Sequence, residues 1–209
     1  MNRILFLLMM LPTVILTGCS SQKHLRSLFF LQMPDTQLGF FTDKRGFQKE
    51  TENFEKAIAE ANRLRPGFVV VCGDLVNKPG DDEQVAEYKR IASMLNLSIP
   101  IYNVAGNHDV GNLPTPQSLA RYREEFGPDY YTFEKGDLFA IVVNSSLMKD
   151  PDSARQESAV QDEWLQTTLE RAHAMKDKLI VVFMHHSLFL ESPTEEDQYF
   201  NFAGPNRAQ

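Results

Sequence analysis

At 209 residues, with 43% apolar and 23% charged side chains, the chain is long enough to bury one sizeable core and too evenly mixed for a low-complexity protein. A formal charge of −7 excludes the basic footprint of a nucleic-acid binder, so no nucleic-acid partner is expected, and an anionic substrate would need local positive charge such as a metal supplies. Only two cysteines occur, Cys19 and Cys72, which excludes a disulfide framework and cysteine-built zinc sites.

Taken in chain order, the first segment, "MNRILFLLMMLPTVILTGC", carries one cation, Arg3, then an apolar run from Ile4 to Leu16 and small residues before Cys19. The run is shorter than the ~20 apolar residues that cross a bilayer, so it reads as a signal peptide over 1–18. Leu16-Thr17-Gly18-Cys19 resembles a bacterial lipobox, which implies lipidation at Cys19, a tether over 19–26, export, and a membrane partner through the lipid anchor. Ser20 in place of Asp favours an outer-membrane or periplasmic-face location.

The remainder, 27–209, reads as one domain. "SLFFLQM" (27–33) is a strand, and 48–65 a helix with Phe54, Ile58, Ala61 and Leu64 on one stripe. "FVVVC" (68–72) is a second strand, 83–95 a helix, 99–105 a third strand and 116–126 a short helix. "YYTFEKGDLFAIVVN" (130–144) is a hairpin turning at Lys135-Gly136-Asp137. Segment 148–158 reads as a polar loop, 161–174 as a helix aligning Trp164, Leu165, Leu169 and Ala172, and "KLIVVFM" (178–184) as the next strand. Apolar strands alternating with amphipathic helices predict an α/β layered fold.

Polar residues follow four of these strands. Asp35 and Gln37 come after the first, Asp74 after the second, Asn107, His108 and Asp109 after the third, and His185 and His186 after "KLIVVFM". Ligands of open α/β sheets bind at the carboxyl ends of strands, and Gly73 and Gly106 let the backbone turn and bring neighbouring side chains close. No Gly-x-Ser-x-Gly, Walker A loop or Gly-x-Gly-x-x-Gly occurs. Mixed oxygen and nitrogen donors suit iron, manganese or zinc in a hydrolytic centre, with Asp74 placed to bridge two ions.

The ordered set Asp35-x-Gln37, Gly73-Asp74, Gly106-Asn107-His108-Asp109 and His185 resembles the motifs of the calcineurin-like metallophosphoesterases, from about Leu28 to the chain's end. "CGDLVN", "GNHDVGNLPT", "VVNSS" and "SLFLESPTEEDQYFNF" are similar to a subgroup described as serine/threonine phosphatases. The resemblance implies a layered αββα sandwich, two divalent metal ions and a phosphate-ester substrate. By position, Asp35 and Gln37 would bind one metal, Asp74 both, and Asn107 and His185 the other. His108 would protonate the leaving oxygen, with Asp109 orienting its imidazole. His186 is left outside the catalytic set, and the part played by 191–202 is open.

Two departures from the family pattern matter. Gln37 stands where the usual motif has histidine; its oxygen favours manganese or magnesium over zinc and leaves manganese-dependent nucleotide or pyrophosphate hydrolysis as an alternative. The terminal Gly-His-x-His is absent: the five histidines are His24, His108, His173, His185 and His186. The expectation is a C-terminally truncated domain with its second sheet incomplete; the alternative is an inactive surface lipoprotein that keeps the fold for binding.

Overall fold

The computed structural model describes residues 28–41 and 46–204. The signal peptide, Cys19 and the tether lie outside the described residues.

Twelve elements follow one another among them. They are β1 (Leu31–Met33), α1 (Gln48–Leu64), β2 (Val69–Cys72), α2 (Asp82–Ala92), β3 (Ile101–Val104), α3 (Asn107–Val110), α4 (Pro116–Phe126), β4 (Tyr131–Lys135), β5 (Leu138–Val142), α5 (Ser145–Lys149), α6 (Arg155–Ala174) and β6 (Leu179–Phe183). Two three-stranded sheets form. One has the order β1-β2-β3, all parallel; the other has β4-β5-β6, with β4 antiparallel and β6 parallel to β5.

The period-2 alternation of the strands sorts the core into three layers. Val69 and Val71 of β2 face α1 and α2, meeting Phe54, Ile58, Ala61, Tyr88 and Ile91. Phe68, Val70, Cys72 and Val104 point the other way, against Leu138, Ala140, Val142 and Phe183 of the second sheet. Phe139, Ile141 and Val143 pack outward with Trp164, Leu165 and Ala172 of α6. Helix, sheet, sheet and helix therefore stack as the αββα sandwich expected from the sequence.

Several boundaries differ from the sequence reading. The first strand is only Leu31–Met33 rather than 27–33. Leu64 and Leu169, placed on buried stripes, are 38% and 45% exposed: Leu64 is the last residue of α1, and the buried face of α6 runs through Ser158, Gln161, Thr168 and Ala172 instead. Segment 148–158 is not a loop: α5 ends inside it and α6 begins at Arg155. The first buried positions of α6 are polar, which hid its start. Ser158 Oγ donates to the Leu147 carbonyl (3.0 Å), and the Gln161 amide exchanges hydrogen bonds with the Asn144 backbone (2.9 and 3.1 Å).

Candidate metal centre

Because β1, β2 and β3 are parallel, the residues just past their carboxyl ends share one edge. Asp35, Gln37 and Asp74 all hold left-handed backbone, with φ of 49°, 39° and 51°. Such conformations cost about 1–3 kcal/mol each and concentrate at functional sites. The two loops are tied together. Gln37 N–H donates to the Asp74 carbonyl (2.8 Å), Thr36 Oγ1 to the Leu75 carbonyl (2.9 Å), and Leu38 bridges Val76. Gly73, with φ of 83°, and Gly106 are required for close approach: a Cβ on the first would collide with the His185 ring, and one on the second with Asp74.

His185 does not arrive from the same sheet. It follows β6 of the second sheet, so the donors converge from two facing sheets rather than along one edge as the sequence reading had it. The ligand atoms of Asp35, Asp74 and His185 lie within 4.8 Å of one another. His185 Nδ1 sits 2.9 Å from the Cys72 carbonyl oxygen, which can only accept, so the ring proton belongs on Nδ1. Nε2 then presents a lone pair to Asn107 Oδ1 at 3.0 Å and Asp74 Oδ1 at 3.4 Å. Asn107 Nδ2 donates to Asn112 Oδ1 (3.1 Å) and the Tyr199 hydroxyl (3.4 Å), which orients Oδ1 inward. Three acceptors converging without a donor between them repel one another unless a cation lies among them. Burial raises the Asp35 carboxyl above its ordinary range, His185 pulls it down, and Asp74 pushes it up again. The donor set therefore fits a divalent metal ion, and Gln37 lines the same cleft.

His108 N–H donates to Asp74 Oδ1 (2.9 Å), and its Nδ1 lies 2.7 Å from the Asn77 carbonyl. That carbonyl holds the proton on Nδ1 and turns Nε2 to the cleft. Asp109, expected to orient this ring, does something else. Its Oδ1 accepts from Leu75 and Val76 N–H (2.8 and 3.2 Å), and its Oδ2 from Gly106 N–H (2.8 Å). Burial pushes its carboxyl well up, and the three amides oppose that shift. Asp109 thus ties the second loop to the start of α3, and the backbone carbonyl of Asn77 takes the orienting part.

Asn77 is held in turn by Gln84, whose Oε1 accepts from the Asn77 and Lys78 amides, 3.0 Å each. Sequence reasoning missed Asn77 and Gln84. A carbonyl leaves no trace in residue type, and the buried Gln84 stands among the polar residues that open a helix. His186 packs edge-on to His185 at 4.8 Å, and Ser145 Oγ lies 3.0 Å from its Nδ1. Burial, then His185 and Lys149, lower its pKa to about 3, so it lines the site as a neutral ring. The cleft encloses about 620 Å³, and its outer wall comes from Phe40, Leu190, Tyr199 and Phe200.

The calcineurin-like phosphoesterase family matches residues 30–205. Among curated relatives, the serine/threonine-protein phosphatase CPPED1 of Danio rerio is 33% identical over 188 residues, covering 83% of this chain and 61% of its own length. That of Bos taurus is 35% identical over 188 residues, covering 83% and 60%. This chain spans about three-fifths of the length of these relatives. Among solved structures, a dimetal phosphatase from Danio rerio superposes with a TM-score of 0.54 at 14% identity, covering 77% of this chain and 70% of the other. A purple acid phosphatase from yellow lupin seeds gives 0.55 at 14% identity, covering 77% and 30%. By sequence and by fold, the chain belongs to the calcineurin-like phosphoesterase family.

Proposed function

We propose that this chain carries the centre of a dinuclear metallophosphoesterase that hydrolyses phosphate esters. The observation that supports it most is the convergence of Asp74 Oδ1 and Asn107 Oδ1 on Nε2 of His185. Asp35 and Gln37 would hold one cation, Asn107 and His185 the second, and Asp74 both. Amide and carboxylate oxygens outnumber the single imidazole, which favours manganese. Two bound cations supply Lewis acidity and an activated water.

The chain's own residues do the rest. Asp74, fixed by the His108 amide, and Asn107, fixed by Asn112, keep the donors in place. As the oxygen of the attacking water bonds to phosphorus and its proton passes to solvent, the bond to the leaving oxygen breaks and that oxygen takes a proton from Nε2 of the His108 imidazolium, which leaves the ring neutral. The Asn77 carbonyl keeps Nδ1–H throughout, so Nε2 is the nitrogen that exchanges. Relatives named serine/threonine-protein phosphatases make a phosphomonoester the substrate class to try first.

Asp74→Asn keeps size and one oxygen but removes the charge that offsets two dications. It is expected to lower manganese content and to abolish manganese-dependent hydrolysis of nitrophenyl phosphate. Two equivalents of manganese still bound would refute the bridging role. Export and lipid anchoring belong to the same proposal, supported by Leu16-Thr17-Gly18-Cys19. Cys19→Ser should move the protein from the membrane to the soluble fraction of producing cells; a variant that still sediments with membranes would end the anchor reading.

A further inference from the structure

The site described so far accounts for the phosphoryl end of the cleft and leaves its opposite wall unexplained. That wall is built from Phe40, Leu190, Tyr199 and Phe200, large apolar residues that remain 52%, 48%, 61% and 64% exposed beside a polar centre. Exposed apolar surface clustered at one rim marks a contact surface.

The segment bearing three of these residues is firmly built. Glu195 accepts hydrogen bonds from the amides of Leu190, Glu191 and Ser192 (2.8, 2.7 and 3.0 Å) and from Asn201 Nδ2 (2.5 Å). Asn201 is buried, Phe202 is fully buried, and Phe202 N–H donates to the Ser187 carbonyl (3.2 Å). Lys149 Nζ donates to the Tyr199 carbonyl and lies 5.2 Å from the centre of the Tyr199 ring. The Tyr199 and Phe200 rings meet edge to face at 5.1 Å. Both rings are therefore held in place yet largely uncovered, as a platform that a flat or apolar group can enter at little ordering cost.

Charge narrows the occupant further. The segment carries Glu191, Glu195, Glu196 and Asp197, and no lysine or arginine stands among the described residues that line the cleft. A leaving group with further phosphates or carboxylates would meet those four carboxylates against one ammonium among the described residues there, that of Lys149, which is already bonded to the Tyr199 carbonyl. An uncharged aromatic or apolar leaving group meets rings instead.

From this the geometry points to Tyr199 and Phe200, with Phe40 and Leu190, as a leaving-group subsite. It selects phosphomonoesters whose leaving group is aromatic or apolar and uncharged, over pyrophosphates and nucleotides. The assignment rests on the phosphoesterase reading for its phosphoryl end, and the test keeps the two apart by measuring binding as well as turnover.

The full-length protein loaded with manganese is titrated with naphthylmethylphosphonate and with methylphosphonate, and assayed on naphthyl phosphate, glycerol phosphate and inorganic pyrophosphate. Wild type is expected to bind the naphthyl phosphonate at least about tenfold more tightly, an aromatic contact being worth about that factor. The Tyr199→Ala/Phe200→Ala double variant should lose this preference, and its kcat/KM on naphthyl phosphate relative to glycerol phosphate should fall about tenfold, a ratio in which any effect of the lost Tyr199 hydroxyl on Asn107 cancels. Phe200→Tyr, which keeps the ring and leaves the Tyr199 hydroxyl on Asn107, should behave as wild type and control for folding. Equal affinity of wild type for the two phosphonates, no binding of either, an unchanged preference in the double variant, or efficient pyrophosphate hydrolysis would each overturn the subsite. A naphthyl preference that depends on Tyr199 and Phe200, in a protein that hydrolyses no ester, would uphold the subsite and refute the phosphoesterase reading.

Discussion

His108 and Asp109 are neighbours in sequence with opposite work to do. His108 is part-exposed and turns Nε2 to the cleft, whereas Asp109 is 4% exposed and spends its carboxylate on three backbone amides. Their variants should separate accordingly. His108→Ala should cut kcat by roughly 10²–10⁴, the range for a lost general acid, with metal content nearly intact. The loss should shrink for nitrophenyl phosphate, whose leaving group needs no proton. Asp109→Asn turns an amide N–H₂ toward donors and should destabilise the fold by roughly 2–4 kcal/mol, lowering the melting midpoint by on the order of 10 °C. Its activity loss should not depend on the leaving group. A leaving-group dependence in Asp109→Asn equal to that of His108→Ala would restore Asp109 as the residue that orients the ring. The sequence carried the identity of both residues but not this division, because an Asp one position after a His is equally placed to bond the ring or the turn behind it. Only the left-handed Asp74 and the tight approach at Gly106 bring the Leu75 and Val76 amides within its reach.

The strands and most helices were legible from their apolar patterning: β2 is buried at every position, and α4 runs over the residues expected, Pro116–Phe126. What stayed hidden was polar or short. The one-turn α3 and α5 lack a stripe, and α6 opens with Ser158 and Gln161 facing inward. Segment 187–204 was hidden for the same reason, since it is organised by a carboxylate rather than by apolar contacts. Asn201, with the amides of Leu190, Glu191 and Ser192, holds the Glu195 carboxyl down from an ordinary 4.5 to about 2. A depressed carboxyl contributes order that is fully present above the ordinary value and is lost as the pH falls through the lowered one. Amide protection at Leu190, Glu191 and Ser192, corrected for intrinsic exchange, should therefore persist at pH 4.5 and fade toward pH 2. Glu195→Gln should show the faded level already at neutral pH. Full protection in that variant would mean that the apolar contacts of Phe202 alone hold the segment.

Across the whole molecule, the two sheets meet through an apolar layer and, at one end, through the candidate centre. Asp35, Asp74 and Asn107 belong to the first sheet and His185 to the second, with its Nδ1 already bonded across the gap to the Cys72 carbonyl. The sequence showed that these residues follow strands. It did not show that the fourth strand lies in another sheet, because pairing partners are not encoded in a strand's own alternation. The consequence is thermodynamic: a cation held there ties the sheets together and binds the folded chain in preference to the unfolded one. A ligand at a hundred times its dissociation constant adds about 2.7 kcal/mol, which for a domain of this size raises the midpoint by roughly 5–10 °C. Manganese at that level should produce such a shift in wild type, and a chelator should reverse it. His185→Ala keeps the carboxylates but removes the only donor from the second sheet among the assigned ligands, so at the same manganese concentration its shift should fall below roughly 2 °C. A shift in His185→Ala as large as in wild type would show that the cation sits on the first sheet alone and that His185 is a packing residue bonded to Cys72.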